Sequence, residues 1–102
     1  MPYFIMLTRL SSSEVRTPSA LEALEKKVIT HIRSECPQVE WIANYAVLGP
    51  YDYLDVFRAA DPADAFRVST IVRLFGHART EIWAAEEWGA FKAMIRDLPQ
   101  AT

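Results

Sequence analysis

Apolar positions fall along this chain in short runs, helical stripes and alternations, and each pattern predicts an element. Residues 3–9, YFIMLTR, form a brief run of strand-forming apolar residues, which predicts a strand buried on both faces. After a polar connector, Leu21, Leu24, Val28 and Ile32 recur at the helical period, with Glu22, Glu25, Lys26 and Arg33 off that stripe. A helix is expected to begin near Pro18 or Ser19. Ser11 with Glu14, and Ser19 with Glu22, both have capping-box spacing. Pro37 should end this helix, because the residue before a proline resists the helical region. Residues 39–48 alternate weakly and predict a second strand. Gly49 and Pro50 then turn the chain into a third strand over residues 51–59, which makes a hairpin. Asp61 is suited to cap a second helix with Pro62 in its first turn, Val68, Val72 and Phe75 on its buried stripe, Ile71 beside it and Gly76 at its stop. Residues 77–84 alternate as a fourth strand. Residues 86–99 read as an amphipathic tail helix with Trp88, Phe91, Ile95 and Leu98 on one face.

The order strand, helix, strand, strand, helix, strand, helix fits an α+β fold. Right-handed crossovers make it a ferredoxin-like βαββαβ plait with a C-terminal helix, and with both crossover helices on one face of the sheet. The first and third strands should lie in the middle. Along the third strand, Leu54 and Val56 are expected to face the helices, which sends Tyr51, Tyr53, Asp55 and Phe57 to the other side. On the fourth strand, Ile82 should face the core and His77, Arg79, Glu81 and Trp83 the open side. Trp41, Ala43, Tyr45 and Val47 should share one side of the second strand, with either side allowed. An open face this rich in aromatic residues is poorly suited to water. The expected solution is a homodimer packed open face to open face, or partial cover by the tail helix.

Composition narrows the function classes. A length of 102 residues fits a single domain spanning 1–102. The net charge is −2 with no cluster of Lys or Arg, which argues against nucleic acid and membrane surfaces as partners. No stretch reaches transmembrane length, and the N-terminal apolar run lacks the flanks of a signal peptide. The only cysteine, Cys36, has no internal disulfide partner, which suits a cytoplasmic protein and a structural thiol. Two separated histidines and one cysteine give no metal-ligand spacing, so no metal is expected. No phosphate loop or nucleophile elbow is present, and no cofactor is implied.

Three stretches together, MPYFIMLTRL, YAVLGPYDYLDVF and GHARTEIWA, resemble the GYD domain family over roughly residues 3 to 96. The glycine, tyrosine and aspartate of the name fall on Gly49, Tyr51 and Asp52, and an Arg-Thr-Glu stretch on Arg79, Thr80 and Glu81. The resemblance implies a ferredoxin-like domain of the dimeric α+β barrel type without assigning a function. Two positions depart from the family pattern: His77 stands where Asn is common, and Arg58 where an acidic residue is common. A looser similarity links the strand beginning at Gly49 to the effector-binding domain of leucine-responsive regulators.

The candidate chemistry lies on the third and fourth strands. Asp52 at the turn suits a local carboxylate accepting backbone N–H bonds, or a ligand contact. Asp55 inside the strand needs a donor or cation, either in an ion pair with Arg79 or as a general base with a raised pKa. His77 could move protons or be an idle residue after a helix stop, and Arg79 could hold a carboxylate. Tyr51, Tyr53 and Trp83 would complete a pocket. His31 is expected to face solvent. The favoured expectation is a homodimeric protein binding an aromatic or carboxylated small molecule through Arg79, Tyr51, Asp52, Tyr53 and Trp83. The alternatives are a cofactor-free oxygenase, isomerase or cyclase with His77 or Asp55 as proton acceptor, and a regulatory or structural dimerisation module.

Overall fold

A computed structural model describes residues 1–11 and 17–99. The elements follow the order β1 (Tyr3–Leu10), α1 (Pro18–Glu35), β2 (Glu40–Ala46), β3 (Tyr53–Arg58), α2 (Pro62–Phe75), β4 (Ala78–Ala85) and α3 (Trp88–Ile95). The strands form one antiparallel sheet ordered β2-β3-β1-β4, the ferredoxin-like α+β arrangement with β1 and β3 in the centre.

Local chemistry explains where the helices start. Thr17 caps α1, its hydroxyl oxygen accepting from the Ala20 backbone at 3.1 Å, and Pro18 occupies the first turn. Ser19 is therefore inside the helix rather than its cap. The Ser11–Glu14 box lies outside the described residues. Asp61 caps α2 through the Ala63 backbone N–H at 2.9 Å, with Pro62 behind it. Gly76 follows α2 but is not left-handed, with φ −91°. A side chain there would meet the Val72 carbonyl oxygen at 2.5 Å, so close approach selects the glycine. The left-handed residue is the next one, His77, with φ 49°.

Register decides which face each side chain occupies, since directly opposed residues on antiparallel strands share a face. Phe4 lies opposite Phe57, Met6 opposite Asp55 and Ile82, and Thr8 opposite Tyr53 and Thr80. Phe57 is fully buried among Phe4, Met6, Ile32, Val68 and Val72, beneath the two helices. The expected orientation of β3 is thus reversed: Tyr53, Asp55 and Phe57 face the helices, while Leu54 and Val56 face the open side. The physical reason is that β3 is apolar on both sides. Its periodicity separates two faces without saying which one the helices cover, and Phe57 is the bulkier apolar anchor.

A second correction concerns β2. A bulge between Trp41 and Ala43 shifts the register. Trp41 opposes Phe57 and packs against its ring, whereas Ala43 and Tyr45 oppose Val56 and Leu54 on the open side. The extra residue breaks the strict alternation that would have kept Trp41, Ala43 and Tyr45 together.

The core is continuous between α1, α2 and the sheet, and it includes Cys36, whose burial pushes the thiol pKa up. His31 is half-buried rather than exposed, stacked on Phe75 with ring centroids 3.7 Å apart. The tail helix behaves differently. Trp88, Phe91, Met94, Ile95 and Leu98 are all exposed, and no α3 residue is buried. The molecule is accordingly elongated, 56 × 30 × 18 Å, and α3 does not cover its own sheet.

Candidate functional site

α1 does not lie flush on the sheet. Between its apolar stripe (Leu21, Leu24, Val28 and Ile32) and strands β1, β2 and β3 runs a cavity of about 490 Å3. Its floor carries Met6, Thr8, Tyr53 and Asp55, and its edge carries Trp41, Asn44 and Ala46. Glu25 and Arg33 reach it from α1. The walls are mostly apolar, and the few polar groups converge on the middle of the floor.

Asp55 is the central polar group. Asn44, opposite it across the hairpin, donates from Nδ2 to Oδ1 at 2.6 Å. Burial raises the pKa of Asp55, the Asn44 bond opposes that rise, and the negative charge of Glu25 adds to it. Burial also raises the pKa of Tyr53, aided by the neighbouring carboxylates Asp52, Glu25 and Asp55. The carboxylate therefore sits where its charged form is disfavoured, beside a phenol that stays protonated.

The remaining candidate residues lie elsewhere. Asp52 ties the β2–β3 connection to β1: its Oδ2 accepts from the Leu10 backbone N–H at 2.7 Å, and its own N–H donates to Thr8 O at 2.8 Å. This is a backbone clamp to a neighbouring strand rather than to Gly49 or Pro50. Gly49 itself has φ +139°, a conformation that side chains strain, so the turn selects glycine there. Tyr51 donates its hydroxyl proton to Glu81 Oε2 on the open face, and Trp83 Nε1 donates to Glu81 Oε1 at 2.9 Å. The Tyr51 bond is the main reason that the Glu81 pKa is lowered and that of Tyr51 raised.

Arg79 is exposed and stands opposite Arg9 on the open side, so it cannot pair with Asp55 on the far side of the sheet. His77 is exposed at the α2–β4 junction and does not line the cavity, though its carbonyl accepts from Ser11 N at 3.3 Å. The structure thus brings Asp55 and Tyr53 together on one face, and Tyr51, Trp83 and Arg79 on the other. His77 joins neither group.

Several residues of the cavity carry no motif. Asn44 becomes visible only once the bulged register is known. Thr8, a buried polar residue after the apolar run of β1, and Glu25, set between Leu24 and Val28, were the available signals. Among the described residues, no three His, Cys, Asp or Glu side chains gather to hold a metal ion, and no helix is long and apolar enough to cross a membrane.

Comparison with known proteins agrees with this architecture. The family model described as GYD domain matches residues 4–95. A solved structure of the Mycobacterium tuberculosis leucine response regulatory protein LrpA superposes with a TM-score of 0.58 at 17% identity, covering 84% of this chain and 51% of that one. The chain thus spans about half the length of LrpA. TTHA0845 from Thermus thermophilus superposes with a TM-score of 0.55 at 27% identity, covering 85% of this chain and 95% of that one. No curated protein matches the chain.

Proposed function

The chain belongs to the GYD domain family, and we propose that it is a homodimeric small-molecule-binding protein whose ligand occupies the cavity between α1 and the sheet. The observation that carries this reading is the cavity itself: about 490 Å3, apolar-walled, with Asp55, Tyr53 and Thr8 on its floor and Asn44 reaching Asp55 from its edge. Sites for small molecules have this size and this sparse polarity. Trp41 and Tyr53 on the same side of the sheet suit an aromatic ring. The homodimer is supported by the exposure of Tyr45 and Trp83 on the open face and of the apolar side of α3. In such a dimer Arg79, Tyr51 and Trp83 belong to the subunit contact rather than to the ligand.

The test is a thermal-shift screen of small aromatic compounds, repeated on Ala46→Trp, which fills the cavity edge. A compound that raises Tm with saturation in the parent protein, and loses that effect in Ala46→Trp, supports the cavity as the site. Stabilisation that survives the filled edge overturns it. Light scattering at micromolar concentration tests the dimer, and a monomer there overturns that half of the reading.

A second reading has one observation in its favour. Burial raises the Asp55 pKa, the shift a general base at neutral pH requires. In that reading the chain is a cofactor-free enzyme with Asp55, not the distant His77, taking a proton from the bound molecule. Turnover lost in Asp55→Asn with binding retained would select it.

A further inference from the structure

Resting on the reading that the α1–sheet cavity is the ligand site, we propose that this cavity selects an aromatic or apolar molecule carrying a protonated amine, seated on the open carboxylate oxygen of Asp55. An ionised aspartate has two acceptor oxygens and roughly four lone-pair positions. Asn44 fills one position on Oδ1 at 2.6 Å. Oδ2 has no protein partner among the described residues, and it is not sealed from the cavity that Asp55 lines. A carboxylate oxygen open to a mostly apolar cavity is free to accept from whatever enters it, and a charged donor satisfies it better than a neutral one.

The surrounding charges point the same way. Among the described residues, Asp55 and Glu25 line the cavity against one cationic side chain, Arg33 on α1. A carboxylated ligand placed over Asp55 would meet two negative groups, whereas an ammonium group would be held by both. Trp41 and Tyr53 line the same space, and an aromatic face favours a cation over an anion. The apolar stripe of α1 accommodates the rest of the molecule.

Isothermal titration at neutral pH with three probes of similar shape tests this: 2-phenylethylamine, 2-phenylethanol and 3-phenylpropionate. The expected result is that the amine binds about tenfold or more tightly than the alcohol, with the carboxylate weakest. Asp55→Asn should bring the amine to the level of the alcohol, and the exposed Glu25→Gln should weaken it by about two- to threefold. Circular dichroism confirms that both variants are folded. If the alcohol or the carboxylate binds as tightly as the amine, or Asp55→Asn leaves the amine unaffected while Ala46→Trp abolishes it, the charge selection is overturned and the cavity stands as the site. If no probe binds, or binding is unchanged in Ala46→Trp, the cavity reading falls as well.

Discussion

The two faces of this sheet are both apolar, yet they are finished in opposite ways. The face under α1 and α2 is closed over Phe4 and Phe57 at one end and left hollow at the other, over Asp55 and Tyr53. The opposite face carries Ile5, Leu54, Val56 and Trp83, with Tyr51, Glu81 and Trp83 joined by hydrogen bonds across it. Apolar content therefore does not identify the core; the position of the helices does. The largest expected effect follows directly. Phe57→Ala should lower unfolding free energy by about 3–5 kcal/mol, because it empties a fully buried site. Val56→Ala, its half-buried neighbour on the open side, should lose about 1 kcal/mol in the monomer. Urea titration of the two variants reads the comparison, and a larger loss for Val56 would reverse the faces.

The same contrast shows what was legible in the sequence. Element order, both proline-led helix starts and the stripes of α1 and α2 follow from local chemistry, so the plait could be read without coordinates. The facing of β3 could not, because Tyr53, Leu54, Asp55, Val56 and Phe57 contain no residue that is excluded from either side. The bulge at Trp41 was hidden for a related reason: nothing in VEWIANYAVL marks an extra residue, as a glycine would. The candidate site suffered most. His77, Arg79 and Asp55 look like one chemical group along the chain, but strand parity and a one-strand separation place them apart. The residues of the family's name, Gly49, Tyr51 and Asp52, serve the turn, a contact to Glu81 and a clamp on β1.

The open face offers a smaller effect. Trp83 is exposed at 49% and α3 presents Trp88 and Phe91 without cover. Buried aromatic anchors commonly contribute about 2 kcal/mol or more to an interface. Trp83→Ala should therefore weaken the proposed homodimer by roughly thirtyfold in Kd while barely changing the monomer's urea midpoint. Sedimentation across a concentration series measures it. An unchanged dimer with a lowered midpoint would mean that Trp83 supports its own chain instead.

Smaller again is the loss of the Asp52 clamp. Asp52→Ala removes the carboxylate acceptor of the Leu10 N–H, and since the carboxylate is exposed the expected loss is about 1 kcal/mol. Hydrogen exchange should locate the change at the Leu10 amide, and protection retained there would show that the backbone pairing suffices without the side chain.

The smallest effect is the most informative in sign. Asp55 has a folded pKa above its ordinary value of 3.8, chiefly through burial. Between the unfolded and folded values, the folded chain holds a proton that the unfolded chain has released. The stability associated with that proton is fully present below about pH 3.8 and is lost as pH rises through the folded pKa. Asp55→Asn, which cannot ionise, escapes that loss. Its urea midpoint should exceed the parent's at neutral pH and converge on it below pH 3.8. The opposite trend, with the parent gaining over the variant as pH rises, would mean that the ionised carboxylate is already satisfied within the protein. The hollow end of the helix-covered face would then have no unpaired oxygen to offer a ligand, and the cavity's preference for a cation would lose its physical cause.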